Sequence, residues 1–178
     1  MALDATVGGA SSNSYVTLAE AEDYFAERLR AEAWSGASEA DKEKALLTAC
    51  RHLERSRYWD GGGPAFTDPR QALTFPRKRD TDAAGDYLIP TRVKQAQCEE
   101  ALALLSRGAE QERRRALQAA GVTSFSVDGL SESYAAGAAE HPLESAEARA
   151  LLVGYVCKGG VLATSDNPDG EWSAGSAP

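Results

Sequence analysis

Ser14-Tyr-Val-Thr-Leu-Ala-Glu-Ala-Glu-Asp-Tyr-Phe25, then Ala33-Trp34, then the run from Ser38 to Tyr58-Trp59, is the stretch that decides the fold class. Thr17-Leu-Ala-Glu20 is a capping box: the Thr hydroxyl takes the amide three residues on, and the Glu reaches back to the cap. Leu18, Ala21, Phe25 and Leu29 follow at helical spacing with Tyr24 beside them, while Glu20, Asp23, Glu27 and Arg30 take the opposite face. The pattern predicts a helix ending near Ala31, with Trp34 anchoring the turn. Ser38 caps a second helix with Asp41 in its first turn. Its stripe is Ala45, Leu46, Ala49, Cys50 and Leu53, and it is expected to run to about Arg57. Two helices joined by a short turn make a helical hairpin.

Outward from this hairpin, residues 1–13 are small, polar and glycine-containing, and read as an extended or mobile N-terminal arm. On the other side, Gly61-Gly62-Gly63-Pro64 breaks the chain, and Pro69, Pro76 and Pro90 punctuate the segment that follows. Gln71 to Pro76 predicts a short turn of helix stopped by its proline, anchored by Leu73 and Phe75. A loop of this length inside a domain is either well packed or functional. Pro90 suits the first turn of a third long helix carrying Val93, Ala96, Gln97, Ala101, Leu104 and Leu105, with Gly108 placed to end it. The polar run 109–120 reads either as an extension of that helix or as a solvated linker.

Residues 122–134 switch to a period of two. Phe125 and Val127 lead to Asp128-Gly129, and Leu130 to Tyr134 follow. Asp-Gly between alternating strands signals a β-hairpin with a tight two-residue turn, because such a turn needs positive φ. A two-stranded hairpin is marginal alone and needs a neighbour. Pro142 to about Lys158 predicts the last helix, with Leu143, Ala148, Leu151, Leu152, Tyr155 and Val156 facing inward and Gly159 as its cap. Residues 160–178 hold Gly, Ser, Asp, Asn and Pro around Trp172, and read as a flexible tail whose Trp is either incidental or an aromatic anchor that docks on binding. The expected architecture is mainly α: a small bundle of about four helices, residues 14–159, with a protruding hairpin and extended termini. Leu18, Phe25, Leu29, Trp34, Leu46, Leu53, Trp59, Phe75, Val93, Leu104 and Leu152 are its expected scaffold core.

Composition narrows the function. A net charge of −8 over 178 residues argues against broad, non-specific nucleic-acid binding, which needs clustered Lys and Arg to displace counterions. Local basic clusters remain at Arg77-Lys78-Arg79 and Arg113-Arg114-Arg115. Cys50, Cys98 and Cys157 are an odd, widely spaced set among apolar residues, and read as buried free thiols in a reducing compartment. Neither a membrane span nor a signal peptide is expected.

No catalytic constellation is expected. Cys50 and His52 are two apart on a helix and face different ways; His52 and His141 are the only histidines. Metal motifs, phosphate loops and nucleophile elbows do not occur. Asp166-Asn-Pro-Asp169-Gly-Glu171 is rich in oxygen ligands, but its proline breaks the alternation a calcium loop needs. No metal, no cofactor and no enzymatic activity are therefore expected.

Ser14 to Tyr24, Ala33-Trp34, Ala40-Asp-Lys-Glu-Lys-Ala-Leu46, Tyr58-Trp59, Gln71-Ala-Leu-Thr-Phe-Pro-Arg77 and Ile89-Pro-Thr-Arg-Val-Lys-Gln-Ala96 form an ordered pattern. The pattern resembles tailed-phage head–tail connector (adaptor) proteins, including the group described as DnaT-like single-stranded-DNA-binding proteins. The resemblance covers roughly residues 10–107, and the order of its motifs carries the weight. It implies a virion protein made in the host bacterial cytoplasm, assembling into a ring of about twelve copies at the head–tail junction. Its implied partners are the portal protein, neighbouring copies of itself and the next neck or tail-completion protein, with genomic DNA passing through the channel without specific binding. By position in that plan, Phe125, Val127, Asp128, Gly129, Leu130, Tyr134 and Trp172 would make subunit and portal contacts. The alternative is a DnaT-like module that binds single strands, using Arg77–Arg79 or Arg113–Arg115 beside aromatics such as Phe75, Tyr87 or Phe125.

Overall fold

The computed structural model describes residues 2–56, 64–67, 69–108, 124–127, 130–133 and 142–155. Over these the chain is mainly helical, with five helices: α1 Leu18–Ala26, α2 Glu32–Ser35, α3 Glu39–Glu54, α4 Thr91–Ser106 and α5 Ala146–Leu152. Helix α4 is the hub, and α1, α2, α3 and α5 all pack on it. One consequence is burial on nearly every side of its middle turns, including Gln97, Glu99 and Glu100.

The capping box at Thr17 is formed in both directions. Thr17 Oγ1 accepts from the Glu20 amide at 3.2 Å, and Glu20 accepts from the Thr17 amide at 2.8 Å. The helix it starts is shorter than its periodicity predicts. It ends at Ala26, and Arg30 takes a left-handed conformation with φ of 60°. That turn redirects the chain into α2, which buries Trp34 at 1% exposure against Phe25, ring centroids 4.3 Å apart. Leu29, expected in the core, is 83% exposed, because the helix that would have carried it inward has already stopped. Ser38 caps α3 through the Asp41 amide, and Ala45, Leu46, Ala49, Cys50 and Leu53 are all buried.

Two apolar clusters flank the hub. Phe25, Trp34, Leu46, Ala49 and Ala101 centre the first, with Leu18 and Leu104 partly buried against it. Tyr15, Leu53, Phe75, Val93, Leu143 and Leu152 centre the second. Trp59 lies outside the described residues.

Three segments differ from expectation. Residues 2–13 close onto the domain rather than extending from it. The Asp4 carbonyl accepts from the Asn13 and Ser14 amides, and the Gly9 carbonyl accepts from Ala72. Gly8, at φ of 68°, lies under the Phe66 ring so closely that a Cβ there would meet it at 2.0 Å. Residues 71–76 form bends and no helix, with a cis Phe75–Pro76 bond. Gln71 takes over the pairing that a helix would have supplied: its amide donates to the Leu73 and Pro76 carbonyls and accepts from Phe66 N. Helix α5 begins at Ala146, not Pro142, because the Ser145 hydroxyl caps it and the Glu144 and Ser145 amides are claimed by Glu100.

Ser124–Val127 (β1) and Leu130–Ser133 (β2) pair antiparallel, from Ser124 opposite Ser133 to Val127 opposite Leu130. Asp128-Gly129 between them, Tyr134, the run 109–120 and the tail with Trp172 lie outside the described residues.

Candidate functional site

Helix α4 carries buried polar groups, each already provided with partners. Gln97 donates to Ser14 Oγ and the Leu46 carbonyl and accepts from Tyr15 N, so it ties three segments together. Glu99 accepts from Tyr24 Oη at 2.6 Å and from Arg28 at 2.5 and 3.1 Å. Burial pushes its carboxyl up, but the bonds from Arg28 and Tyr24 outweigh that and hold it below the ordinary range. Glu100, fully buried, accepts from the Glu144 and Ser145 amides and pairs with His52 Nδ1 at 2.7 Å. Glu54 pairs with Tyr15 Oη and accepts from the Thr74 amide and hydroxyl. Burial, and then the Glu54 charge, raise the Tyr15 phenol well above its usual value. These contacts pin helices and loop to one another; none leaves a base facing an open space.

His52, Glu100 and Glu144 offer ligand atoms within 4.8 Å of one another, a spacing that a metal ion could use. Their donors are already engaged. The His52–Glu100 hydrogen bond takes the inner position, two amides hold Glu100, and Arg107 pairs with Glu144. The arrangement fits a buried cap for α5 better than a metal centre. Cys50 and Cys98 are buried, which pushes both thiols to about 12, so neither is a thiolate at neutral pH.

The basic cluster 77–79 divides. Arg77 is buried, with its guanidinium over Phe75 at 4.6 Å and Tyr155 at 5.1 Å, and Asp80 accepting from Nε and Nη2 at 3.0 and 3.1 Å. Phe75 is 1% exposed. Neither can meet a nucleic acid, which corrects two of the residues expected there. Lys78 and Arg79 are exposed, as is Arg70 on the same loop. Tyr87 is 38% exposed and stands edge-on to Phe66, ring centroids 5.2 Å apart. A local turn holds it. Asp82 Oδ1 accepts from the Ala84 and Asp86 amides, Gly85 takes φ of 92°, and Leu88 N donates to the Asp80 carbonyl. Exposed cations and a braced aromatic on one loop are the elements of a single-strand contact. The Arg113–Arg115 run and the side chain of Phe125 lie outside the described residues.

Of the residues assigned to subunit and portal contacts, Phe125, Val127 and Leu130 fall in the paired strands. Asp128, Gly129, Tyr134 and Trp172 lie outside the described residues. Sequence reasoning placed Gln97 on the inward stripe of its helix but missed Glu99, Glu100 and Glu54. The available signal was a helix with apolar residues on several faces and two glutamates in its middle. Among the described residues no helix is long and apolar enough to cross a membrane.

No curated protein and no solved structure matches the chain. A family model described as "Putative DnaT-like ssDNA binding protein" matches residues 1–165. That match takes in every helix and both strands among the described residues, together with the braced loop, and the chain belongs to this DnaT-like family.

Proposed function

We propose that this protein binds single-stranded DNA at a local site on the loop of residues 64–88. The carrying observation is Tyr87, braced against Phe66 and exposed on the same loop as Arg70, Lys78 and Arg79. A base stacks on the Tyr87 ring and the cations meet the flanking phosphates. The family description supports this reading. A net charge of −8 keeps the contact local, since acids elsewhere repel phosphates. Three cations displace few counterions, so log affinity falls with log salt at a slope of about −2. Titrating a labelled oligothymidylate over a salt series tests this. Binding with that shallow slope supports the site, and no binding at low salt removes it. The protein acts by binding, not catalysis.

A second reading is favoured by the strand pair. Its sheet has only two strands of four residues among the described residues, leaving an outer edge on each, and such edges recruit strands from another chain. Together with the ordered pattern over residues 10–107, this supports an adaptor ring in a phage neck. The ring would join the portal to the next neck component and extend a DNA channel in which acids keep DNA from sticking. Finding the chain at the neck of purified particles tests it, and its absence from the virion would sink it.

A further inference from the structure

We propose that the hollow between α1 and α4 receives the basic loop of a second copy of this chain, so that copies associate head to tail. The hollow has a volume of about 280 Å³. Val16 and Cys98, both buried, lie at its base with Tyr24 beside them, and Glu20, Asp23 and Glu27 line its α1 side. It is smaller than a cofactor pocket and suits one or two side chains.

The charges around it are unbalanced. Lys94 neutralises Glu20 at 2.5 Å. The side chains of Asp23 and Glu27, one helical turn apart on the same face, take part in no hydrogen bond or ion pair among the described residues. Like charges at that spacing destabilise a helix. An apolar base under uncompensated acids fits a side chain with a long apolar stem and a cationic head.

The matching groups are on the loop of the same chain. Arg70 and Lys78 are exposed and likewise without a counter-charge. Each copy thus carries an acidic hollow and a basic loop on different elements. Seating one in the other is a heterologous contact, which repeats from copy to copy and closes into a ring or grows as a filament. The inference deepens the ring reading and rests on it for the premise that copies meet. It shares Arg70 and Lys78, but not Tyr87, with the DNA site.

The test is sedimentation of the full chain over a concentration series at low salt, with two charge-reversed variants checked for native helicity. Asp23→Lys/Glu27→Lys reverses the hollow, and Arg70→Glu/Lys78→Glu reverses the loop. Each should weaken self-association at least tenfold. An equimolar mixture should associate again, because the opposed charges are then restored between unlike copies. The control Glu43→Lys/Glu147→Lys should associate like the wild type. A wild type that stays monomeric, a control that loses as much, or a mixture that fails to recover would overturn the contact. The two readings fail separately. Association that follows the charge swap in a chain absent from particles removes the phage ring and keeps the contact. Reversed variants that still assemble into particles remove the contact and keep the ring.

Discussion

The bundle around α4 and the loop of residues 64–88 handle charge in opposite ways. In the bundle, Glu54, Glu99 and Glu100 are each closed by donors from a second or third segment. In the loop, Arg77 is closed in the same manner by Asp80, but Arg70 and Lys78 are exposed with no counter-charge among the described residues. Aromatics divide likewise. Trp34 and Phe75 are 1% exposed, whereas Tyr87 is braced by Phe66 and left 38% exposed. Charge that serves folding is paired, and charge that serves a partner is left open. The loop is therefore where DNA binding is expected, and the bundle, whose open acids Asp23 and Glu27 are confined to the hollow on its surface, is what holds the loop in place.

The sharpest way to break this division is to remove a donor-saturated group from the bundle. Glu100→Ala strips the partner from the buried Ser145 amide, the part-buried Glu144 amide and His52, and should cost about 3–5 kcal/mol in a denaturant melt. A cost under about 1 kcal/mol would mean that the network is incidental. Leu46→Ala, at 0% exposure in the first cluster, should cost about 2–5 kcal/mol by the same measurement.

Glu99 offers a test through pH. Its folded carboxyl is held below the ordinary 4.5, so it binds its proton less readily folded than unfolded. The stability it contributes is present above that ordinary value and is lost as pH falls through the lower folded one. Glu99→Gln should accordingly be less stable than the wild type near neutrality, and the gap should narrow as the solution is acidified below 4.5. A gap that is constant with pH would mean that the carboxylate charge plays no part.

The smallest expected effect on stability sharpens the comparison from the other side. Lys78→Ala changes an exposed group and should stay within about 0.5 kcal/mol of the wild type in unfolding, and Tyr87→Ala should lose about 1.5 kcal/mol or less, the scale of its edge contact with Phe66. A larger loss would place the loop among the structural elements.

Where local chemistry decides the structure, the residues disclose it. Thr17 and Glu20 mark the start of α1, Ser38 marks α3, and the stripe from Ala45 to Leu53 marks the buried face, because caps and 3.6-residue spacing act within a few residues. Leu29 was misplaced because one left-handed residue, Arg30, ends a pattern that periodicity alone would continue. The turn at 71–76 was misread because Gln71, rather than helical bonds, satisfies its backbone. Two glutamates at 99 and 100 look like a solvated face until α1, α3 and α5 bring up their donors, and such burial is set by segments up to 75 residues away. At the candidate site, Tyr87 and the 77–79 cluster were legible as types. Which members reach solvent was not, because Asp80, Phe75 and Tyr155 withdraw Arg77 only in the folded chain.

The central claim is that the loop binds while the bundle supports. Anisotropy of a labelled oligothymidylate at low salt, read for the wild type and Tyr87→Ala beside their unfolding curves, tests it most directly. The account predicts binding by the wild type and a loss of about 5-fold or more in the variant, the scale of one base stack, with the variant still fully folded under the assay conditions. Equal affinity in the two proteins, or no binding by either, would contradict it.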